Sequence, residues 1–150
     1  MEIRPATLSD VEDLLAFGQK VAYPELSWQH VRFDEDALRQ TLTMIIKGKL
    51  STCLLLMDGQ QIRGCAAVFI NRYFFSFDRY ASDVTFYVEP GSRRGFAGVK
   101  LIRAMIAYAR EQGVRELLLT VTSGVKVDRT AELIERLGGK ALGRSLSIRL

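Results

Sequence analysis

The sequence predicts an α/β (α+β) fold in which helices pack on a mixed sheet. Three observations indicate it: apolar residues recur at helical spacing in several stretches, β-rich runs lie between them, and turn-forming residues separate the runs. The resulting order is strand, helix, helix, three strands, helix, strand, helix, strand, without an internal repeat or linker. This order is typical of one sheet covered by helices, so residues 1–150 are expected to form a single domain.

The first helix is expected to follow a short strand over residues 3–6. Ser9 and Glu12 have the Ser-x-x-Glu spacing of a capping box, which predicts that a helix begins there. Apolar residues recur on one face of this helix as far as Val21, and Pro24 ends it because proline cannot continue a helix.

A second helix and a hairpin come next. Asp34 can cap the helix by accepting a hydrogen bond from its first turn, and Gly48 closes it. Residues 52–57 and 61–70 are rich in β-forming side chains, and Asp58-Gly59 between them is typical of a two-residue hairpin turn. These two strands are therefore expected to pair antiparallel.

An aromatic-rich connection, residues 71–80, leads to a strand over residues 83–88. Strict alternation predicts that Val84, Phe86 and Val88 share an apolar face of this strand. The opposite, polar face would carry Asp83, Thr85 and Tyr87. Most aromatic side chains of the connection are expected in the core, with one or two at the mouth of a pocket. They are Tyr73, Phe74, Phe75, Phe77 and Tyr80.

The C-terminal half alternates helix and strand. A helix ends near Gly113, and residues 116–121 form a strand whose consecutive leucines are typical of a buried one. Asp128 can cap a last helix that runs through Leu137, and residues 146–150 are predicted to form a terminal strand.

A basic, glycine-rich turn lies between the residue 83–88 strand and the helix after it. It reads Val88-Glu89-Pro90-Gly91-Ser92-Arg93-Arg94-Gly95-Phe96-Ala97-Gly98. Free backbone N–H groups, the positive end of the helix dipole and two guanidinium groups all favour a bound anion, above all a phosphate. A solvated loop is the alternative, because the turn matches neither the G-x-G-x-x-G nor the Gly-Lys-Ser/Thr phosphate fingerprint.

Composition restricts the class of protein. A hydrophobic content of 48% and a charged content of 25% are those of a soluble globular protein. No apolar run has membrane-spanning length and no signal-peptide core is seen, so a cytoplasmic protein without a membrane partner is expected. Cys53 and Cys65 lack metal-site spacing, and His30 is the only histidine, so no metal is expected.

The element order, with this turn after the fourth strand, resembles the GNAT superfamily of acetyl-CoA-dependent N-acetyltransferases, particularly its small bacterial and phage-type members. The turn matches the family pattern V-x-P-x-x-[QR]-x-x-G-x-[GA], with Arg93 at the Gln/Arg position and Gly98 at the end. Phe96 stands where the first glycine is usual, and Gly95 precedes it. The resemblance implies a mostly antiparallel central sheet of about six to seven strands flanked by about four helices.

The resemblance also implies a site for acetyl-CoA as co-substrate. Backbone groups of Phe86 and Val88 would hold the acetyl carbonyl and the pantetheine arm, where the fourth and fifth strands splay apart. Residues 93–99 would wrap the pyrophosphate. The cofactor-binding residues expected in all are Phe86, Val88, Arg93, Arg94, Gly95, Phe96, Ala97, Gly98, Val99 and Ser123.

Direct acetyl transfer to a primary amine needs an unprotonated nucleophile, so a base is expected. Asp83, at the start of the fourth strand, is the first candidate; the alternative is a carboxylate that caps a turn or pairs with Arg79. Glu25 is the second candidate, because the resemblance implies that its segment borders the acceptor site. It could act as base or select a cationic amine, or it could be a solvated loop acid.

The acid that protonates the leaving thiolate has no familiar candidate. Ile134 stands where the family often has a tyrosine on its last helix, and the asparagine expected near the start of that helix is absent. Tyr87 or Ser123 could serve instead, or the thiolate could leave unassisted, since thiols have a pKa of about 8.5.

The sequence favours an N-acetyltransferase that acts on an amine of a small molecule, peptide or protein, and it is compatible with a homodimer. The missing tyrosine and asparagine leave a non-catalytic GNAT-fold module that binds a CoA ester as the alternative. A nucleic-acid-binding domain is less favoured, because the net charge is only +4 and most basic residues are scattered.

Overall fold

A computed structural model of the chain describes residues 1–150 and has a five-stranded sheet at its centre. The strands are β1 (Glu2–Pro5), β2 (Ser51–Asp58), β3 (Gln61–Arg72), β4 (Arg79–Val88) and β5 (Leu117–Leu118). They lie in the order β1-β2-β3-β4-β5, and only β4 and β5 pair in parallel. The mixed, mostly antiparallel sheet is confirmed, although it has five strands instead of six or seven.

Helices cover both faces of the sheet. They are α1 (Val11–Phe17), α2 (Glu35–Lys47), α3 (Ala97–Glu111) and α4 (Val127–Arg136). One core cluster lies between the sheet and α1 with α2, and a second lies between the sheet and α3. The α1/α2 face buries Leu55 and Tyr87, whereas the α3 face buries Leu56, Val88 and Leu101. The four helices agree with expectation.

The start of α1 differs from the predicted Ser9/Glu12 capping box. A 3-10 turn, Leu8–Asp10, precedes the helix, and the carboxylate of Asp10 accepts the backbone N–H of Thr7 at 2.7 Å. Arg4 on β1 donates two hydrogen bonds to the same carboxylate, at 2.8 and 2.7 Å. The cap thus lies two residues earlier than predicted, where Asp10 also ties the helix to the sheet.

Beyond α1 the chain stays helical but changes pitch. The backbone widens into a π-helical turn, Gly18–Ala22, and then tightens into a 3-10 turn, Tyr23–Glu25, that contains Pro24. Such irregular turns occur often at functional sites. Here they carry Glu25 to the end of β4.

The second helix and the hairpin are confirmed. Asp34 accepts the backbone N–H of Ala37 at 2.8 Å, and α2 ends at Gly48. Asp58 pairs with Gln61, so the turn is formed by residues 59 and 60, one position later than predicted, with a positive φ of 59° at Gly59.

A bulge in β4 changes which residues share a face. Thr85 pairs with Ala67 and Asp83 pairs with Val68, so Val84 is an extra residue between them. Paired residues share a face, which puts Asp83 on the α3 face with Val68, while Tyr87 lies on the α1/α2 face. The predicted alternation, with Asp83 and Tyr87 on one polar face, was therefore wrong.

The loop between β3 and β4 is shorter and more exposed than predicted, because both strands extend into residues 71–80. Phe74, Phe75 and Phe77 are 97%, 73% and 89% exposed, and we call these three side chains the aromatic tip. Tyr73 and Tyr80 are half-buried. The expectation that most of these aromatic side chains lie in the core was wrong, since the tip projects beyond the sheet.

The C-terminal part also departs from prediction. β5 is shorter than the predicted 116–121 strand, and Lys126, instead of Asp128, occupies the N-cap of α4. Residues 140–150 are all exposed, belong to no strand and make no hydrogen bond to the rest of the chain. The terminal strand predicted over residues 146–150 is therefore not formed, because no other strand of the sheet pairs with these residues.

The link between Asp10 and Arg4 makes stability depend on pH. Arg4 holds the pKa of the Asp10 carboxyl well below its usual range. This stabilisation is complete above the unfolded pKa of about 3.9 and is lost as the pH falls toward the folded pKa. Asp10→Asn should lower the free energy of unfolding at neutral pH by about 1.5–3 kcal/mol. The difference from wild type should shrink in acid.

Urea unfolding at several pH values measures this effect. Asp13→Asn is the matched control, because Asp13 is exposed on the same helix and makes no hydrogen bond. Equal loss of stability in both variants would contradict the role given to Asp10.

Candidate functional site

A cleft of about 110 Å³ lies where β4 and the chain after β5 separate. The parallel ladder stops at the pair Ser82–Leu118, and the next contact is made by Asp83, whose Oδ1 accepts the N–H and the hydroxyl of Thr120 at 2.8 and 3.0 Å. The lining comes from the end of β4, the turn before α3, the segment after β5 and α4. It comprises Phe86, Tyr87, Val88, Arg93, Gly98, Thr120, Val121, Ser123, Val125, Lys126, Arg129, Thr130 and Leu133.

The glycine-rich turn leads from this cleft into α3. Gly95 has a φ of +86°, which favours glycine, whereas Phe96 has a φ of −99° that any residue adopts. The backbone therefore needs its glycine one position before the usual family position, and Phe96 is tolerated with 75% of its surface exposed. The first hydrogen bond of α3 is donated by the backbone N–H of Lys100 to the carbonyl of Phe96. The N–H groups of residues 97–99 therefore have no partner within the helix.

Cationic side chains also line the cleft. They are Arg93, Lys126 and Arg129, and Arg94, the next residue of the turn, is exposed without a hydrogen bond or ion pair. Lys126 is the only residue other than glycine with a positive φ, at 47°. Free N–H groups, a helix N-terminus and these cations together fit a polyanionic ligand such as the diphosphate of coenzyme A.

Three side chains form a hydrogen-bonded cluster on the α1/α2 side of β4. The Tyr87 hydroxyl lies 2.5 Å from Glu25 Oε2 and 3.1 Å from the Val21 carbonyl. The Arg93 guanidinium donates to the same Glu25 oxygen and stacks on the Tyr87 ring, 5.3 Å from its centroid. Arg93 Nε also donates to the Val88 carbonyl at 2.8 Å. We call Glu25, Tyr87 and Arg93 the Glu25 cluster.

These contacts determine the charges at the site. Hydrogen bonds from Tyr87 and Arg93 lower the pKa of Glu25, so its carboxylate is ionised at neutral pH. Burial and the bond to Glu25 raise the pKa of Tyr87, so the phenol keeps its proton. Burial raises the pKa of Asp83, and the two hydrogen bonds from Thr120 oppose that rise.

The segment that carries Glu25 is fixed across the cleft by Ser27. Its backbone N–H donates to the Ser123 carbonyl at 2.9 Å, and its hydroxyl donates to the Thr122 carbonyl at 3.3 Å. Gly124 permits this approach, because its φ is +78° and a Cβ there would lie 3.0 Å from Ser27 Cβ. The segment that carries Glu25 is therefore joined to the chain after β5 by one backbone and one side-chain hydrogen bond.

The structure brings together most, but not all, of the residues predicted for the site. Tyr87 and Ser123 line the cleft and Glu25 hydrogen bonds to Tyr87, whereas Asp83 does not line the cleft and hydrogen bonds to Thr120, with its Cα on the α3 face. The predicted cofactor-binding residues that line the cleft are Phe86, Val88, Arg93, Gly98 and Ser123. Arg94, Gly95 and Phe96 are exposed in the turn, Ala97 is buried and Val99 is half-buried. The Arg93 side chain points to Glu25, although a pyrophosphate contact was predicted for it.

Sequence reasoning missed Thr120, Lys126, Arg129 and Leu133, which all line the cleft. They lie in the segment after β5 and in α4, and only the fold brings these two parts of the chain to β4. The one local pattern that could have indicated an anion-binding role for these residues is the pair of basic side chains at the start of a helix, Lys126 and Arg129.

Comparison with known families identifies the fold. The family described as Acetyltransferase (GNAT) family matches residues 16–138. The chain belongs to this family. The resemblance read from the turn and the element order is thereby confirmed. No curated protein sequence matches the chain significantly.

Solved GNAT-like structures cover the whole chain at low identity. A transcriptional regulator from Bacillus halodurans has a TM-score of 0.80 at 20% identity, with 99% of each chain covered. A predicted acetyltransferase with acetyl-CoA from Clostridium acetobutylicum has a TM-score of 0.76 at 15% identity, covering 99% of this chain and 95% of the other. An aminoglycoside 6′-N-acetyltransferase from Acinetobacter haemolyticus has a TM-score of 0.75 at 17% identity, covering 100% and 98%. At such identities the likeness establishes the fold alone.

Three further structural features concern metal sites, membrane-spanning helices and the cysteines. No group of three or more His, Cys, Asp or Glu side chains is arranged to hold a metal ion. None of the helices combines the length and the apolar character needed to cross a membrane. Cys53 and Cys65 are both buried as free thiols, and burial raises the pKa of Cys53 to about 12.

The positive φ of Gly95 predicts that a side chain at this position lowers the stability of the folded protein. Gly95→Ala should lower the free energy of unfolding by about 1–2 kcal/mol, because an L-residue is strained in the left-handed region. Gly91→Ala is the control, since Gly91 lies in the same turn without a positive φ and both sites have open space around a new Cβ. Chemical denaturation of both variants measures the difference in their free energies of unfolding. If Gly95→Ala is as stable as Gly91→Ala, the turn does not need glycine at position 95.

Proposed function

We propose that this GNAT protein is an acetyl-CoA-dependent N-acetyltransferase that transfers the acetyl group directly to a primary amine of a small molecule, peptide or protein. The observation that carries the proposal is the cleft, which is lined by Arg93, Lys126, Arg129 and Gly98 of the first turn of α3, together with the ionised carboxylate of Glu25 that hydrogen bonds to the lining residue Tyr87. These are the two requirements of the reaction: an anchor for a polyanionic donor and a proton acceptor for the incoming amine. The buried free thiols are in keeping with a cytoplasmic location.

Each part of acetyl-CoA, the proposed acetyl donor, is assigned to particular residues. The free N–H groups of residues 97–99 with Arg94, Lys126 and Arg129 would hold the diphosphate. Phe86 and Val88 would bound the acyl arm. When bound, acetyl-CoA supplies an activated thioester carbonyl, so no covalent intermediate with the protein is needed.

Glu25 is the proposed proton acceptor. It is ionised at neutral pH, lies on the α1/α2 side of β4, and belongs to the segment that Ser27 fixes across the cleft. Asp83 was the first candidate from the sequence, but its Oδ1 is engaged by Thr120 and it lies on the other face of the sheet. We therefore assign Asp83 to holding β4 against the chain after β5.

Tyr87 is the proposed proton donor to the leaving thiolate. Its phenol is protonated at neutral pH and hydrogen bonds to Glu25, so a proton taken from the amine by Glu25 can replace the one that Tyr87 gives up. The proton lost by the amine thus ends on the thiol, and both side chains return to their starting states. This arrangement would replace the family tyrosine that is absent at Ile134.

Acetyl-CoA should stabilise the folded protein. At a hundredfold excess over Kd, a ligand that binds only the folded state adds about 2.7 kcal/mol to the free energy of unfolding. Thermal unfolding with and without acetyl-CoA measures this, and release of free thiol with a panel of amines measures turnover. Absence of any shift at millimolar acetyl-CoA would contradict the cofactor assignment, whereas a shift without turnover across a broad panel would support a non-catalytic CoA-ester-binding module.

Variants of the two carboxylates separate the base from the structural residue. Glu25→Gln should lower kcat/KM by roughly 100-fold or more, because general-base catalysis contributes that much, while acetyl-CoA binding persists. Because its pKa is lowered, the Glu25 carboxylate stays ionised to a pH below the usual titration range of a glutamate. Protonation of this base should therefore reduce the wild-type rate only in acid. Asp83→Asn should retain the rate within an order of magnitude but lower the melting temperature, since it weakens the bond to Thr120. The reverse pattern would make Asp83 the base.

A further inference from the structure

Arg93 contacts the proposed base, the proposed acid and the strand beside which the acyl arm would lie. Its Nε donates to the Val88 carbonyl at 2.8 Å, and one of its terminal nitrogens donates to Glu25 Oε2. Its Cζ lies over the Tyr87 ring, 5.3 Å from the centroid. Because a guanidinium group is planar and rigid, donors that are engaged in two directions fix the position of the whole group.

The two carboxylate oxygens of Glu25 are used unequally. Oε2 accepts hydrogen bonds from both the Tyr87 hydroxyl and Arg93, whereas Oε1 accepts none. An ionised carboxylate has lone pairs on both oxygens, so a group whose Oε2 is held by two donors still has Oε1 free to accept a proton. The Glu25 side chain is 33% exposed, so a ligand can approach it from solvent.

The next residue of the turn, Arg94, has the opposite surroundings. It is exposed and makes no hydrogen bond or ion pair, whereas the Arg93 side chain is only 20% exposed. If Arg93 moved to a phosphate, the Glu25 carboxylate would lose one of its two donors, and removing one partner of such a pair is costly. Arg94 has no contact to lose, so the two adjacent arginines are suited to different partners.

We propose that Arg93 is a positioning residue of the acetyl transfer, which keeps Glu25 Oε1 open to the amine, and that it is not a ligand of the diphosphate. Its hydrogen bonds link the Glu25 carboxylate to the Val88 carbonyl, so they hold the base at a fixed separation from the proposed place of the acyl arm. Its contact with the Tyr87 ring keeps the proposed acid beside the same carboxylate. The inference rests on the proposed function and departs from the pyrophosphate role that the family pattern implies for Arg93.

The charge of Arg93 also affects the titration of Glu25. The groups that act on this carboxylate are Tyr87, Arg93 and Lys126, and all three lower its pKa. Without the Arg93 cation, only Tyr87 and Lys126 remain, so the pKa of Glu25 should rise. A base acts only when it is deprotonated, so the acid limb of the rate profile should then move to higher pH.

Two variants separate positioning from phosphate binding. Arg93→Gln should raise the pKa of Glu25 and lower kcat at least roughly tenfold, because a catalytic group that is held out of place loses that much. The Kd of acetyl-CoA should stay within about twofold of wild type, because no phosphate contact is removed. Arg94→Gln is the matched control: it should weaken acetyl-CoA binding roughly tenfold and leave the pKa of Glu25 unchanged.

A third variant separates the charge of Arg93 from its geometry. Arg93→Lys keeps the positive charge, so the pKa of Glu25 should stay low. The rate should still fall, because an ammonium group lacks the two separated nitrogens that reach the Val88 carbonyl and Glu25 at once. Full activity of Arg93→Lys would overturn the positioning role. This variant also provides the test if Arg93→Gln does not fold.

Three measurements decide the outcome. Carbon NMR of the labelled Glu25 carboxyl group gives its pKa, calorimetry gives the Kd of acetyl-CoA, and steady-state kinetics over a range of pH give kcat and the acid limb. The proposal is overturned if Arg93→Gln leaves the pKa of Glu25 unchanged. It is also overturned if Arg93→Gln weakens acetyl-CoA binding as much as Arg94→Gln does.

Failure of this inference differs from failure of the proposed function. If the wild-type chain binds acetyl-CoA but turns over no amine, the proposed function fails and the role of Arg93 in it fails as well. If the wild type turns over an amine and both Arg93 variants keep its kcat, only the positioning role fails.

Discussion

The separation of β4 from the chain after β5 is the constraint on which the site depends, and Asp83 controls where it begins. Its Oδ1 accepts both the N–H and the hydroxyl of Thr120, immediately after the last ladder pair. The backbone N–H of Thr120 is thereby paired with a side chain of β4, and beyond it the two segments diverge. The bulge at Val84 makes this possible, because it turns Asp83 toward the α3 face and leaves Tyr87 on the other. The cleft lies where the two segments diverge.

The Glu25 cluster links the glycine-rich turn to the segment around Glu25. Arg93 belongs to the turn, yet its guanidinium contacts Glu25 and the Tyr87 ring, and its Nε contacts the Val88 carbonyl. A half-buried arginine that satisfies three partners is held in one orientation, so the end of β4, the turn and the Glu25 segment form one connected unit. Arg94, the next residue of the turn, is exposed and makes no hydrogen bond or ion pair.

Local rules predicted the elements whose causes are local. The β2–β3 hairpin and the Asp34 cap were recognised because turn and cap chemistry act within a few residues. The strict alternation assumed for β4 failed, since a bulge depends on the register with β3. The cap of α1 was misplaced because Arg4, on a separate strand, helps to hold Asp10. The aromatic tip was expected in the core because composition indicates hydrophobicity but not how far β3 and β4 extend.

The sequence by itself determined the family, because the turn from residue 88 to residue 98 is contiguous and its backbone requirements are local. It also indicated Glu25 and Tyr87 individually, from the segment or strand to which each belongs. Only the tertiary structure decided that these two side chains touch, that Arg93 joins them, and that Asp83 faces away. It alone added Thr120, Lys126 and Arg129 to the cleft. The physical reason is that each of these relations depends on strand register and helix packing between segments distant in the chain, which no local pattern encodes.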